Sequence, residues 1–155
     1  MKRIVVSFIA ILLALPVVFT ISEKAHAAPA PELTNLQVIG VTSDGVNGEW
    51  ENIDFNQQSA NIPMSGQNGY IAVYIEGTVQ NGTFQVYDNG NNITSRTFQA
   101  LPDDYVTNAN NIVIGTIKYI GVPLSEVTSG IFNVTANNYY PPNNTLYDNL
   151  FITVN

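Results

Sequence analysis

The chain has no cysteine and a single histidine, His26. Without a thiol it has no cysteine nucleophile, no thiolate site for zinc or copper, and no disulfide to staple an exported fold. His26 lies in the segment 1–27, which reads as cleaved from the chain, so a Ser-His-Asp triad and the usual imidazole metal sites leave with it. Positive charge is almost as scarce. Lys2, Arg3 and Lys24 fall in the same segment, and only Arg96 and Lys118 remain against Glu32, Asp44, Glu49, Glu51, Asp54, Glu76, Asp88, Asp103, Asp104, Glu126 and Asp148. Two cations against eleven acids give residues 28–155 a net charge of −9. Counterion release cannot then drive binding to nucleic acid, and anionic lipid repels such a chain. What stays open is carboxylate chemistry, hard cations held by oxygen, and uncharged surfaces that stack or hydrogen-bond.

The N-terminal segment has the three-part layout of a secretory signal peptide. Lys2 and Arg3 precede an uncharged apolar run from Ile4 to Ile21, and a polar stretch ends in Ala25-His26-Ala27, the small-residue pattern of a cleavage site. The run is just long enough to span a bilayer, but the cleavage pattern and the polar chain that follows predict export, cleavage after Ala27 and a secreted, extracellular protein with no membrane attachment. Residues 28–34, rich in Pro and Ala, form a short extended leader, because proline suits neither helix nor central strand. The remaining 35–155 is enough for one domain with a real core.

Nothing after the leader carries the apolar rhythm of a helix over ten or more residues. Two-residue alternation recurs instead. In "YIAVYIEG", Ile71, Val73 and Ile75 share one face and Tyr70, Ala72, Tyr74 and Glu76 the other; Phe84 and Val86, then Phe132, Val134 and Ala136, then Leu150, Ile152 and Val154 repeat the pattern. "NLQVIGV" and "NIVIGTIKYIG" supply β-branched runs. Between the runs lie the turn clusters "SDGVNG", "PMSGQNG", "QNG", "DNGNN", "LPDD", "NANN" and "YYPPNN", with Gln80-Asn81-Gly82 and Asp88-Asn89-Gly90 predicted as hairpin turns. Seven to nine short strands spaced by such turns predict an all-β antiparallel sandwich.

The C-terminal stretch "SGIFNVTANNYYPPNNTLYDNLFITVN" resembles the closing hairpin of bacterial immunoglobulin-like domains, where a Val-Thr-Ala strand meets a turn and an alternating last strand. That likeness implies an immunoglobulin-like topology and no activity. The overall layout, together with "GVNGEWENIDFNQQS", resembles small secreted proteins of Bacillus-type bacteria, the prophage-derived YolA-like family, whose function is not established. It implies location and no mechanism.

Candidate site residues gather first in "SDGVNGEWENID", residues 43–54, where Asp44, Glu49, Glu51 and Asp54 surround Trp50, the only tryptophan. An EF-hand loop needs oxygen ligands at its first, third and fifth positions and glycine at the sixth. Counting from Asp44 or from Asp88 fails that pattern. A looser calcium site would draw on Asp44, Asp103 or Asp104, as in a calcium-stabilised module. Glycosidase chemistry would take Glu49 and Glu51 as its carboxylate pair, one with a raised pKa, but on one strand Trp50 would face away from both. Glycan binding asks only that Trp50 share a surface with Asn52 and Asp54. A lone tryptophan in a small sandwich is more often a core anchor, and this reading is favoured. Tyr139 and Tyr140, ahead of two prolines in a predicted loop, are a second aromatic candidate. The residues point to a protein without cofactor or catalysis that binds an uncharged polysaccharide, envelope component or protein; a small carboxylate-dependent glycan enzyme is the alternative.

Overall fold

The computed structural model describes residues 31–155; the predicted signal peptide and residues 28–30 lie outside them. Nine strands follow in chain order: β1 (Asn35–Ser43), β2 (Glu51–Asn52), β3 (Asn68–Glu76), β4 (Gln85–Asp88), β5 (Asn91–Asn92), β6 (Phe98–Thr107), β7 (Val113–Pro123), β8 (Gly130–Asn137) and β9 (Thr145–Ile152). They form two antiparallel sheets, ordered β2-β1-β3-β7-β6 and β5-β4-β8-β9. With β1, β3, β7 and β6 as A-B-E-D, and β5, β4, β8 and β9 as C′-C-F-G, this is the strand order of an immunoglobulin-like sandwich.

Alternation decides which side chains fill the space between the sheets. From the five-stranded sheet come Val38, Val41, Ile71, Val73 and Val122; from the other come Val86, Phe132, Val134, Leu150 and Ile152, all fully buried. Each such side chain contributes about 1.5–3 kcal/mol on leaving water, and in a chain without disulfides this packing carries the stability. The predicted inward sets of β3, β8 and β9 are the observed ones; only Val154, past the end of β9, is merely half-buried. Residues 31–34 also lie against the domain. Leu33 is buried, its N–H donates to Asn138 Oδ1 (3.1 Å), and the Thr34 N–H donates to the Glu76 carbonyl (2.8 Å).

Two predicted turns differ from expectation. Asp88-Asn89-Gly90 does close a two-residue hairpin between β4 and β5, with Asn89 (φ 47°) and Gly90 (φ 81°) both left-handed, as a type I′ turn requires. Gln80-Asn81-Gly82 instead carries the chain from β3 in one sheet to β4 in the other. "LPDD" is not a turn at all. It sits inside β6, an edge strand whose register shifts between Leu101 and Asp104, and an edge position at a bulge tolerates Pro102 because no neighbour needs its missing N–H.

Beyond β2 the chain leaves the first sheet and runs along the free side of β9. The Phe151 N–H donates to the Gln58 carbonyl, and the N–H groups of Ala60 and Met64 donate to the carbonyls of Phe151 and Thr153, each at 2.8 Å. This strap places the turn at 54–57 beside the outer face of the four-stranded sheet.

Candidate functional site

Residues 49–55 are not one strand, since only Glu51 and Asn52 pair with β1. Trp50 is a correction to the core reading: it is partly exposed and lies outside the core. Its indole covers Gly40 on the outer face of the five-stranded sheet and meets Tyr119 edge-on, ring centres 5.8 Å apart. Any side chain at position 40 would crowd that ring, so the close approach explains the glycine. Asn52 and Asp54 are exposed, and Asn52, paired with Gly40, shares the face of Trp50. Two tyrosines of this face are occupied by the protein's own carboxylates. Tyr70 donates to Asp44 Oδ1 and Tyr119 to Asp104 Oδ2, both at 2.7 Å, and these bonds raise both phenol pKa values.

Glu49 and Glu51 do not form a pair over a common surface. Glu49 is exposed, whereas Glu51 is buried beneath the strap. The Glu51 carboxylate accepts from the N–H groups of Asn61 and Ile62 and from the side-chain amides of Gln57 and Asn61, each at 2.8 Å. Burial alone would raise its pKa, but these donors outweigh it and hold the carboxyl below its ordinary value. A general acid needs the opposite shift. The calcium candidates are likewise engaged by protein donors. Asp44 also accepts from the Asn68 N–H (2.9 Å), its pKa lowered chiefly by Tyr70, while Asp103 pairs with Lys118 (2.7 Å). Among the described residues no three metal-ligating side chains gather. With Arg96 paired to Glu126, both cations of residues 31–155 are neutralised by acids. Tyr139 and Tyr140 stack edge-on (5.2 Å) in the loop between β8 and β9, where the Tyr139 N–H donates to the Thr78 carbonyl. They sit at the end of the sandwich where β1 begins and do not join Trp50.

A different surface gathers outward-facing side chains. On the four-stranded sheet, inward Phe132, Val134, Leu150 and Ile152 leave Ile131, Asn133, Thr135, Tyr147, Asn149 and Phe151 facing out, with Tyr87 beside them on β4. The 54–57 turn adds Phe55. Exposure reaches 78% for Phe55, 67% for Tyr147, 53% for Ile131 and 45% for Phe151. Scattered exposed apolar residues are ordinary, but four lining one depression are a patch. That depression, about 490 Å³, is lined by Phe55 to Gln58, Ile131, Tyr147 to Asn149 and Phe151. A second, about 560 Å³, continues it through Ile131 and Asn149 to Asn133, Thr135, Tyr87, Asn89 and Gly90.

The lining contains one charged residue, Asp148, whose oxygens accept from the N–H groups of Val38 (2.7 Å) and Asn149 (2.9 Å). Asn133 and Asn149 form a cross-strand amide pair: Asn133 Nδ2 donates to Asn149 Oδ1 (2.7 Å) and to the Asp148 carbonyl (3.0 Å). The pair leaves Asn133 Oδ1 and Asn149 Nδ2 without a partner among the described residues, one acceptor and one donor on the same face. None of these residues stood among the candidates read from sequence, although the alternation that sent Phe132 and Leu150 inward implies them. A family model described as a domain of unknown function, DUF4879, matches residues 28–152. No curated protein matches the chain.

Proposed function

This chain belongs to the DUF4879 family, a domain of unknown function, and on that premise we propose that it is an exported, non-enzymatic protein that binds an uncharged envelope or extracellular ligand, a polysaccharide or a protein, through the outer face of its four-stranded sheet. Export is supported by the N-terminal layout of charge, apolar run and Ala25-His26-Ala27. The likeness to small secreted Bacillus-type, prophage-derived proteins agrees with it. Binding without catalysis is supported by the engagement of Glu51 by four donor groups.

One observation carries the reading. A chain with net charge −9 over residues 28–155 keeps one sheet face almost free of charge, and on it Phe55, Ile131, Tyr147 and Phe151 stand exposed around a shared depression. Exposed apolar patches of this kind mark binding surfaces, because leaving them in water costs free energy that an occupant recovers. The test is co-sedimentation of the protein with cell-wall fractions. Tyr147→Ala and Phe55→Ala are expected to weaken binding about tenfold or more with little change in melting temperature, since both side chains stand at the surface. Equal binding by both variants and the unmodified protein would sink the proposal.

A further inference from the structure

The geometry points to a neutral glycan, several sugar rings long, as the occupant of this face; the inference rests on the binding reading above. A pyranose ring offers an apolar C–H face on one side and hydroxyls at its rim, each hydroxyl both donor and acceptor. The depression supplies both halves of that match. Tyr147, Phe151, Phe55 and Tyr87 present aromatic carbon, and the Asn133–Asn149 pair presents one open carbonyl and one open amide N–H₂ on the same face. An open amide acceptor and an open amide donor on one face hold sugar hydroxyls as an apolar group could not. Charge argues the same way. Acidic polymers are repelled by the net −9 of residues 28–155, and a cationic partner finds a single carboxylate in the lining, Asp148, each of whose oxygens already accepts a backbone N–H. A protein partner gains little here, since the core of a protein interface is a continuous apolar patch rimmed by polar groups. On this face the apolar pair Ile131–Phe151 gives way along the strands to the amide pair Asn133–Asn149 and then to Thr135 opposite Tyr147. From β4 through β8 to β9 the strands span about 10 Å, with Phe55 beyond β9, so the occupant is longer than one ring.

Native affinity electrophoresis of the protein through gels containing hydroxyethylcellulose, soluble β-glucan, galactomannan or glycol chitin, with polygalacturonate as the acidic comparison, tests this. At least one neutral polymer is expected to retard the protein and polygalacturonate is not. Tyr147→Ala and Asn149→Ala should each weaken retardation about tenfold while circular dichroism and the melting curve stay those of the parent, and Trp50→Ala should retain it. No retardation by any neutral polymer overturns the inference, as does loss in Trp50→Ala with retention in Tyr147→Ala. A photo-reactive benzoylphenylalanine at position 147, incubated with cell-wall fractions, separates the two levels. A cross-link to a protein, or to a second copy of this chain, sinks the glycan and leaves the face a binding surface. Absence of both cross-link and retardation sinks both.

Discussion

The carboxylate of Glu51 ties β2 to a loop ten residues further on, accepting from Gln57, Asn61 and Ile62. Hydrogen bonds to a buried charge are worth about 1.5–3 kcal/mol each at most, and losing them leaves donors unsatisfied. Glu51→Gln turns an amide N–H₂ towards those donors and is expected to cost about 2 kcal/mol, read as a fall in the urea midpoint. Its pH dependence has a definite sign. Because the folded pKa lies below the reference value of 4.5, the contribution is fully present above that value and fades as pH falls through the folded pKa. Below pH 4.5 the difference between parent and Glu51→Gln should therefore shrink; a constant difference would show that the charge is not what holds the loop. In the sequence Glu51 reads as half of a catalytic pair, since its partners come from a loop that no periodicity marks. Trp50 misleads for the related reason that its burial depends on Gly40 and Tyr119, both distant along the chain.

At the scale of elements, the strands written as alternating runs were the legible ones. β3, β8 and β9 take the faces their patterns assign, and the proposed binding face is the outward half of two of those patterns. β6 was hidden because its proline and bulges erase the period, and only its place at an edge permits them. The β4–β5 hairpin was legible because its turn chemistry is local. Asn89 does more than turn: its Oδ1 accepts from the Ile131 N–H (2.9 Å) and its Nδ2 donates to Thr128 Oγ1 (2.8 Å), fixing the hairpin against β8. Gly90 has φ 81°, which an L-residue adopts with strain. Gly90→Ala is expected to lower stability by about 1 kcal/mol and to weaken glycan retention, because Asn89 and Gly90 line the depression. Unchanged stability would mean the turn relaxes without cost.

Over the whole molecule, charge and neutrality are kept on separate surfaces. The carboxylates Asp44 and Asp104 stand over the five-stranded sheet, and the opposite outer face carries amides, hydroxyls and rings. Binding at that opposite face should be nearly indifferent to salt: raising ionic strength from about 0.05 M to about 0.5 M shortens the screening length severalfold, yet retardation in the gel should change less than about twofold. A tenfold loss would place charge in the contact. The sheet borders bear on this too. β2 and β5 contribute two residues each at two of them, β6 carries Pro102 at the third, and the strap over β9 closes the fourth. A guest arriving as an extra strand therefore finds no long straight ladder to extend. Copies crowded together are protected from zipping into fibrils by the same closure, and what the molecule offers its surroundings is side chains rather than main chain.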